Sequence, residues 1–336
     1  MSEYHFFPGY DPKLGLRQTQ QAIKVIKDTF QVLLAQNLHL ERVTAPVLVM
    51  GGSGINDDLN GVERKVDFTV KQLDEAHAEV VQSLAKWKRV ALGRYGFQPG
   101  EGLYTDMNAI RRDDEMDNTH SIFVDQWDWE KVITREDRTV EYLQHTVRRI
   151  AKAVVDTNKL LQQKYPLLTA ELSEEVYFLT TQQLADRYPD LTPKERENAI
   201  TKEHGTVFLM QIGGALADGK PHDGRAPDYD DWRLNGDLLF WDETLGQALE
   251  VSSMGVRVDA ESLRRQLKLA GAEDRMQYAY HQGILEDTLP LTIGGGIGQS
   301  RLCMLMLEKT HIGEVQVSVW PEDMVAACQA HGVPLL

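Results

Sequence analysis

Cysteine is almost missing from this chain of 336 residues: only Cys303 and Cys328 occur. Neither belongs to a CxxC pair or a Cys/His cluster, which excludes a disulfide scaffold and a sulfur-ligated metal centre. Cys303 sits in the apolar run LCMLML, where a thiol behaves as a small buried hydrophobe. Long hydrophobic runs are absent too. No stretch approaches the roughly 18 to 20 apolar residues that span a bilayer, and MSEYHFFPGY has neither the basic start nor the apolar core of a secretory signal. A cytoplasmic protein without membrane partners is expected. Basic residues are in deficit, 36 against 51 acids for a formal charge of −15, so a broad electrostatic grip on nucleic acid is not expected.

What is present is ordinary globular composition, with 42% hydrophobic residues, enough for a large core. No repeat or clear linker divides residues 1–336, which are read as one catalytic domain. Ile23, Ile26, Phe30 and Leu33 recur at helical spacing between Leu14 and Gln36, and Val140, Leu143, Val147, Ile150, Val154 and Leu161 do so between Arg138 and Gln163. Strands are predicted over Pro46–Met50, Lys65–Lys71, Ile122–Trp129, Val176–Thr180, Val207–Ile212, Asp237–Trp241, Ala248–Asp259 and Glu314–Trp320. They do not alternate regularly with helices, so the fold class is α+β with a mainly antiparallel sheet flanked by helices. Ala217–Gly236, polar and turn-rich, reads as the longest loop.

Three segments carry chemistry. IGGGIGQSRL, Ile293–Leu302, reads as a glycine-rich turn entering a helix near Gln299, with Gly296 and Gly298 giving close approach to a nucleotide and Arg301 able to fork onto phosphate oxygens. GxxxxGK[ST] is absent, as is a GxGxxG dinucleotide unit with its downstream acid, so a different nucleotide fold is required. In GDLLFWDE and ALEVSSMGVRVD, Asp237 and Glu250 are acids inside otherwise apolar strands; such carboxylates need partners or a cation, which suggests an oxygen-ligand site for Mg²⁺. Gly102–Glu130 reads as strand, polar loop and strand, with Arg111 entering the loop. On the returning strand, alternation puts Gln126 and Asp128 on one face and Trp127 and Trp129 on the other.

These segments resemble motif 2, the metal-binding strand and motif 3 of class II aminoacyl-tRNA synthetases. SLAKWKR, GEGLYT, VDQWDWE, RAPDYDDW, SSMGVRVD and GGGIGQSRL are more specifically similar to the bacterial ammonia-dependent asparagine synthetases, the aspartate–ammonia ligases, from about Leu14 to the C-terminus. The resemblance implies a class II catalytic core working as a homodimer, with Pro46 in the position of the motif 1 proline at the dimer interface. It implies ATP, L-aspartate and ammonia as substrates, a β-aspartyl-adenylate intermediate, and AMP and pyrophosphate as products. Arg111 would hold the α-phosphate and Arg301 the far end of ATP. Asp237 and Glu250 would hold Mg²⁺, with help from Ser253, and Arg257 would pair with that acidic cluster. Lys88 and Gln126 match aspartate-holding positions, and Asp128 would take the α-ammonium. Asp57 of NDDLNG and Asp230 of DYDDW match acids near the nucleophile or amino group, Asp57 being favoured as the group that accepts a proton from ammonium or guides it.

Two departures accompany the resemblance. Ser300 precedes Arg301 where the tRNA synthetases commonly carry an acid, and the segment Asp231–Leu234 is shorter than a lid loop in some relatives. A glutamine-dependent enzyme would need a nucleophile such as an N-terminal cysteine, and position 2 is Ser. An aspartyl- or asparaginyl-tRNA synthetase would need an anticodon-binding barrel, for which the stretch before the first synthetase-like element is too short. A non-catalytic paralogue that binds aspartate would be expected to lose Arg111, Arg301 or an acid, and all are present. His120, His204, His222 and His311 receive no role.

Overall fold

The computed structural model describes residues 4–59 and 63–336; Ser2, and Asn60 and Gly61 of the NDDLNG motif, lie outside the described residues. Helix α1, Leu16–Leu38, buries Ala22, Ile26, Phe30, Leu34 and Leu38 on one stripe and ends at His39 in the left-handed conformation (φ 60°). It is followed by strands β1, Leu40–Arg42, β2, Leu48–Met50, β3, Asp67–Val70, and β4, Ala76–Val80, then helix α2, Ala85–Tyr95. Strands β5, Gly102–Ile110, and β6, Phe123–Val132, form the expected strand–loop–strand. Helix α3, Val140–Lys164, starts at Thr139, whose hydroxyl accepts from Tyr142 N at 3.1 Å.

The chain continues through β7, Tyr177–Thr180, α4, Thr181–Arg187, α5, Pro193–His204, β8, Thr206–Met210, β9, Asp230–Asp242, β10, Gln247–Arg257, and α6, Ala260–Leu269. It closes with α7, Ala279–Leu285, β11, Thr292–Gly298, α8, Gln299–Met306, and α9, Glu322–Ala330. One sheet has the order β1-β5-β6-β11-β10-β9-β8-β7, antiparallel except for the outermost pairs β1–β5 and β7–β8; a smaller sheet has the order β2-β4-β3. The α+β reading with a largely antiparallel sheet therefore holds. Helices α1 and α3 cover one face of the large sheet, where Phe30 stacks against Trp127 with ring centroids 4.7 Å apart and Trp129 is fully buried. The opposite face of β6, β11, β10 and β9 is left for polar side chains.

Three expectations require correction. The glycine-rich turn is a strand: Thr292–Gly298 lies between β6 and β10, and none of Gly294, Gly295, Gly296 and Gly298 has positive φ. Glycine is needed there because neighbours crowd the strand: a Cβ on Gly295 would sit 2.5 Å from Met254 Cβ, and one on Gly296 would overlap Gln126 Oε1. The loop expected to run to Gly236 ends at Asp230, and Asp231–Leu234 is strand, not a lid. The acids at its start are paired in place, Asp231 with Arg138 at 3.1 Å and Arg265 at 3.4 Å, and Asp230 with Arg257. Lastly, Glu314–Trp320 is a short 3₁₀ turn and an unpaired extended segment: Val317 and Val319 are exposed, and Gln316 turns inward to Asp125 and Ser300.

Candidate active site

A cavity of about 640 Å³ opens on the polar face of the large sheet. Its floor follows from strand register. Asp128 on β6, Gly296 on β11, Ser253 on β10 and Asp237 on β9 lie in one row across four strands, with Gly298 opposite Gln126 one step along. Gly296 adds no side chain of its own to this row, and the amide of Gln126 takes the space that its Cβ would fill. Glu250 and Ser253 both line the cavity although three residues apart; a register shift between Glu250 and Ser252 makes this possible.

Of the residues singled out in the sequence, Asp57, Lys88, Arg111, Gln126, Asp128, Asp230, Glu250, Ser253, Gly296, Gly298 and Arg301 line this cavity. Asp237 does not. It sits one layer back, its Oδ2 held by Arg225, which lines the cavity in its place. Burial, opposed by Arg225 and reinforced by the charge of Glu250, raises the Asp237 carboxyl above the usual carboxylate range. Its Oδ1 is buried without a partner.

At one end, Lys88 reaches from α2 and donates to Asp128 Oδ1 and to the Gly295 carbonyl at 2.9 Å. Burial holds its ammonium below the usual lysine range, against the pull of Asp128. Asp128 Oδ2 is buried and unpartnered, aligned for one more donor. Beneath this pair runs a network that sequence reading missed. Glu130, fully buried, accepts from Arg257 Nε at 3.0 Å and Nη2 at 2.7 Å and from Thr292 Oγ1 at 2.7 Å, while Arg257 Nη1 also holds Asp230. Arg257 therefore pairs with Glu130 and Asp230, not with Asp237 and Glu250 as expected, because its register partner is Asp230 at the far end of β10 from Glu250. The alternation Gln126, Asp128, Glu130 was the signal that could have found Glu130.

At the other end, Arg301 in the first turn of α8 donates to the Glu250 carbonyl at 3.1 Å, with its Nη1 3.8 Å from the Glu250 carboxylate. Arg111, just past β5, is held by the Gln82 carbonyl at 3.2 Å. Asp57 also lines the cavity: its Oδ1 accepts from Leu59 N at 3.0 Å, and its Oδ2 is buried without a partner. Burial raises its carboxyl, against the pull of Lys86.

Among the described residues no group of three or more His, Cys, Asp or Glu converges as a metal cage. The unpartnered Asp237 Oδ1, with the Glu250 carboxylate near it, has the oxygen chemistry that would suit a hard cation. Cys303 and Cys328 are buried free thiols, as expected.

With this geometry in view, the comparisons are direct. The family model described as aspartate–ammonia ligase matches residues 17–332. A protein of Levilactobacillus brevis named aspartate–ammonia ligase is 59% identical over 97% of this chain and 98% of its own, and one of Clostridium tetani with the same name is 60% identical over 97% and 96%. Among solved structures, Entamoeba histolytica asparaginyl-tRNA synthetase aligns with TM-score 0.63 at 17% identity, over 90% of this chain and 67% of that one. Pyrococcus horikoshii asparaginyl-tRNA synthetase complexed with asparaginyl-adenylate aligns with TM-score 0.61 at 15% identity, over 90% and 70%. At such identities the likeness carries the fold alone, and that fold is the class II synthetase core.

Proposed function

This chain belongs to the aspartate–ammonia ligase family, and from that premise we propose that it makes L-asparagine from L-aspartate and ammonia by way of a β-aspartyl-adenylate formed from ATP. The observation that supports the reading is that Asp128, Gln126, Arg111, Asp57, Arg301 and Glu250 all line one cavity. Asp128 Oδ2, lacking a partner, takes the substrate α-ammonium, and Gln126 orients a carboxylate. Lys88 supplies the positive charge that answers the substrate's carboxylates, with Asp230 and Ser253 completing the wall.

The side-chain carboxylate oxygen of aspartate then attacks the α-phosphorus and pyrophosphate leaves. Arg111 faces the charge that builds on the α-phosphate oxygens, where a pre-positioned guanidinium stabilises the transition state more than the ground state. Arg301 holds the distal phosphates, and Gly296 and Gly298 let the nucleotide lie against β11. Mg²⁺ held by Asp237 and Glu250 would neutralise phosphate charge. In the second half, ammonia nitrogen attacks the β-carbonyl carbon and AMP leaves. Ammonium must first lose a proton, and Asp57 Oδ2, buried and unpartnered on the cavity wall, is the acceptor.

We further propose a cytoplasmic homodimer of one catalytic domain, without nucleic-acid or membrane partners. No helix among the described residues is long and apolar enough to cross a membrane. Leu48, Met50 and Phe68 stand exposed on the small sheet next to Pro46, an apolar face suited to a second copy. The decisive assay follows asparagine, AMP and pyrophosphate together from ATP, Mg²⁺, L-aspartate and ammonium without tRNA. Equal yields of all three support the ligase; adenylate exchange that gives product only on addition of tRNA would replace it with a synthetase.

A further inference from the structure

Behind Asp57 lies a buried charge cluster to which no role has been given. Lys86, on α2, is 2% exposed; Asp228 and His281 are fully buried. Asp228 Oδ2 receives Lys86 Nζ at 2.8 Å, His281 Nε2 at 3.0 Å and Arg275 Nη1 at 3.2 Å. Lys86 Nζ also lies 3.4 Å from the carbonyl of Asn56, the residue before Asp57, and Arg275 Nη2 reaches Asp58, the residue after it, at 3.5 Å. The segment 56–58 is thus gripped on both sides by donors that share one carboxylate. Gln82 tightens the same segment, with its side-chain amide donating to the Asp57 carbonyl at 2.9 Å and its backbone N to Asn56 Oδ1 at 2.9 Å.

Three or more charges in a dry interior are costly, and structural needs alone are met as well by apolar packing. We propose that Lys86, fixed by Asp228, His281 and Arg275, is a positioning residue that sets Asp57 for the amide-forming half of the reaction. This rests on the reading of Asp57 as the acceptor of the ammonium proton. Asp57 can accept only as a carboxylate, and burial works against that form. Among the described residues, the titratable groups acting on it include Lys86 and Arg111, which favour the carboxylate, Asp228, which opposes it, and Arg275 and the buried Tyr229 beside them. Lys86 is the strongest of the favourable ones. Asp228 itself stays ionised: burial would raise it, but Lys86, His281 and Arg275 together hold it below the usual carboxylate range.

Lys86→Met removes the charge and leaves Asp228 with two donors, so the fold is expected to survive. In the full-length protein, aspartate-dependent exchange of pyrophosphate into ATP should stay within about twofold of the parent, while asparagine formation at pH 7 falls by about tenfold or more and its acid limb moves up by at least about one pH unit. His281→Asn should give the same split with a smaller shift, and decides the matter if Lys86→Met does not yield folded protein by circular dichroism. Equal loss of both half-reactions, or an acid limb that does not move, would overturn the inference. Asp57→Asn separates the two layers: if it leaves asparagine formation intact, or abolishes exchange as well, the reading of Asp57 fails. If it slows only asparagine formation while Lys86→Met does nothing, the inference about Lys86 fails alone.

Discussion

The glycines of β11 give a comparison in which one substitution, two residues apart on one strand, should have opposite consequences. A Cβ on Gly294 would overlap Glu130 Oε2 and lie 2.7 Å from the Trp129 carbonyl oxygen. Glu130 cannot retreat, because Arg257 and Thr292 hold both of its oxygens in a site with no exposure. Gly294→Ala must therefore distort backbone or break a buried ion pair, a cost of about 3–5 kcal/mol. With an unfolding entropy of about 2 cal/mol/K per residue, ~4 kcal/mol lowers the melting temperature of this chain by about 6 °C.

The nearest atoms to a Cβ on Gly296 are those of the Gln126 amide, with Oε1 overlapped and Cδ 2.8 Å away. That side chain is half-buried at the cavity wall and can swing aside, so Gly296→Ala should cost little stability. Its effect falls on substrate placement, where a shift of about 1 Å is worth about 10²-fold in kcat/KM for aspartate. Scanning calorimetry and the three-product assay on both variants check this. If Gly296→Ala melts as early as Gly294→Ala while keeping its kcat/KM, the assignment of the two glycines to a structural and a substrate-facing role is wrong.

Arg111→Ala should reduce aspartate-dependent pyrophosphate exchange by about 10²–10³-fold with little change in melting, since the hydrogen bond that its guanidinium donates to the Gln82 carbonyl at 3.2 Å lies at the cavity wall; exchange at the parental rate would remove it from the α-phosphate. Asp242 tests burial without function: burial lifts its carboxyl to about 7 although Thr244 N and Leu245 N donate to Oδ1 at 2.8 and 3.1 Å. Since the unfolded value is near 3.9, the fold prefers the protonated acid, and the stability it contributes is lost as pH rises from about 4 through about 7. Asp242→Asn should therefore melt above the parent at pH 8, with the gap closing toward pH 4 in calorimetry; a gap independent of pH would contradict the shift. Met50→Asp combined with Phe68→Asp should halve the mass in sedimentation, and an unaltered dimer would move the interface elsewhere.

What the sequence made legible follows from where apolar burial writes a period. Helices α1 and α3 show their stripes because one face of each meets the core, and β6 shows its two faces because Trp127 and Trp129 go one way and Gln126 and Asp128 the other. Arg111, entering a polar loop, and Arg301, just after a run of glycines, stood out in the sequence, and both line the cavity. Where ion pairs replace apolar contacts, the period vanishes. Asp230 and Asp231 read as loop because nothing local shows that Arg257, Arg138 and Arg265 will come to them from other parts of the chain. The glycines of β11 misled for a related reason: a glycine chosen for φ and one chosen because a neighbour stands too close look alike until the neighbour is known, and here the neighbours are Glu130, Met254 and Gln126.

The cluster around Asp228 was hidden for the same cause, since Lys86, Asp228, Arg275 and His281 are scattered over nearly two hundred residues. Lys86 and Asp228 even stand inside SLAKWKR and RAPDYDDW, motifs picked out for their other members. The cavity-lining residues picked out in the sequence lie on short recognisable segments because one strand or one turn presents several of them at once. Buried partners of a charged group need only reach the same point in space, so they can come from anywhere in the chain, as Lys86, Arg275 and His281 do at Asp228.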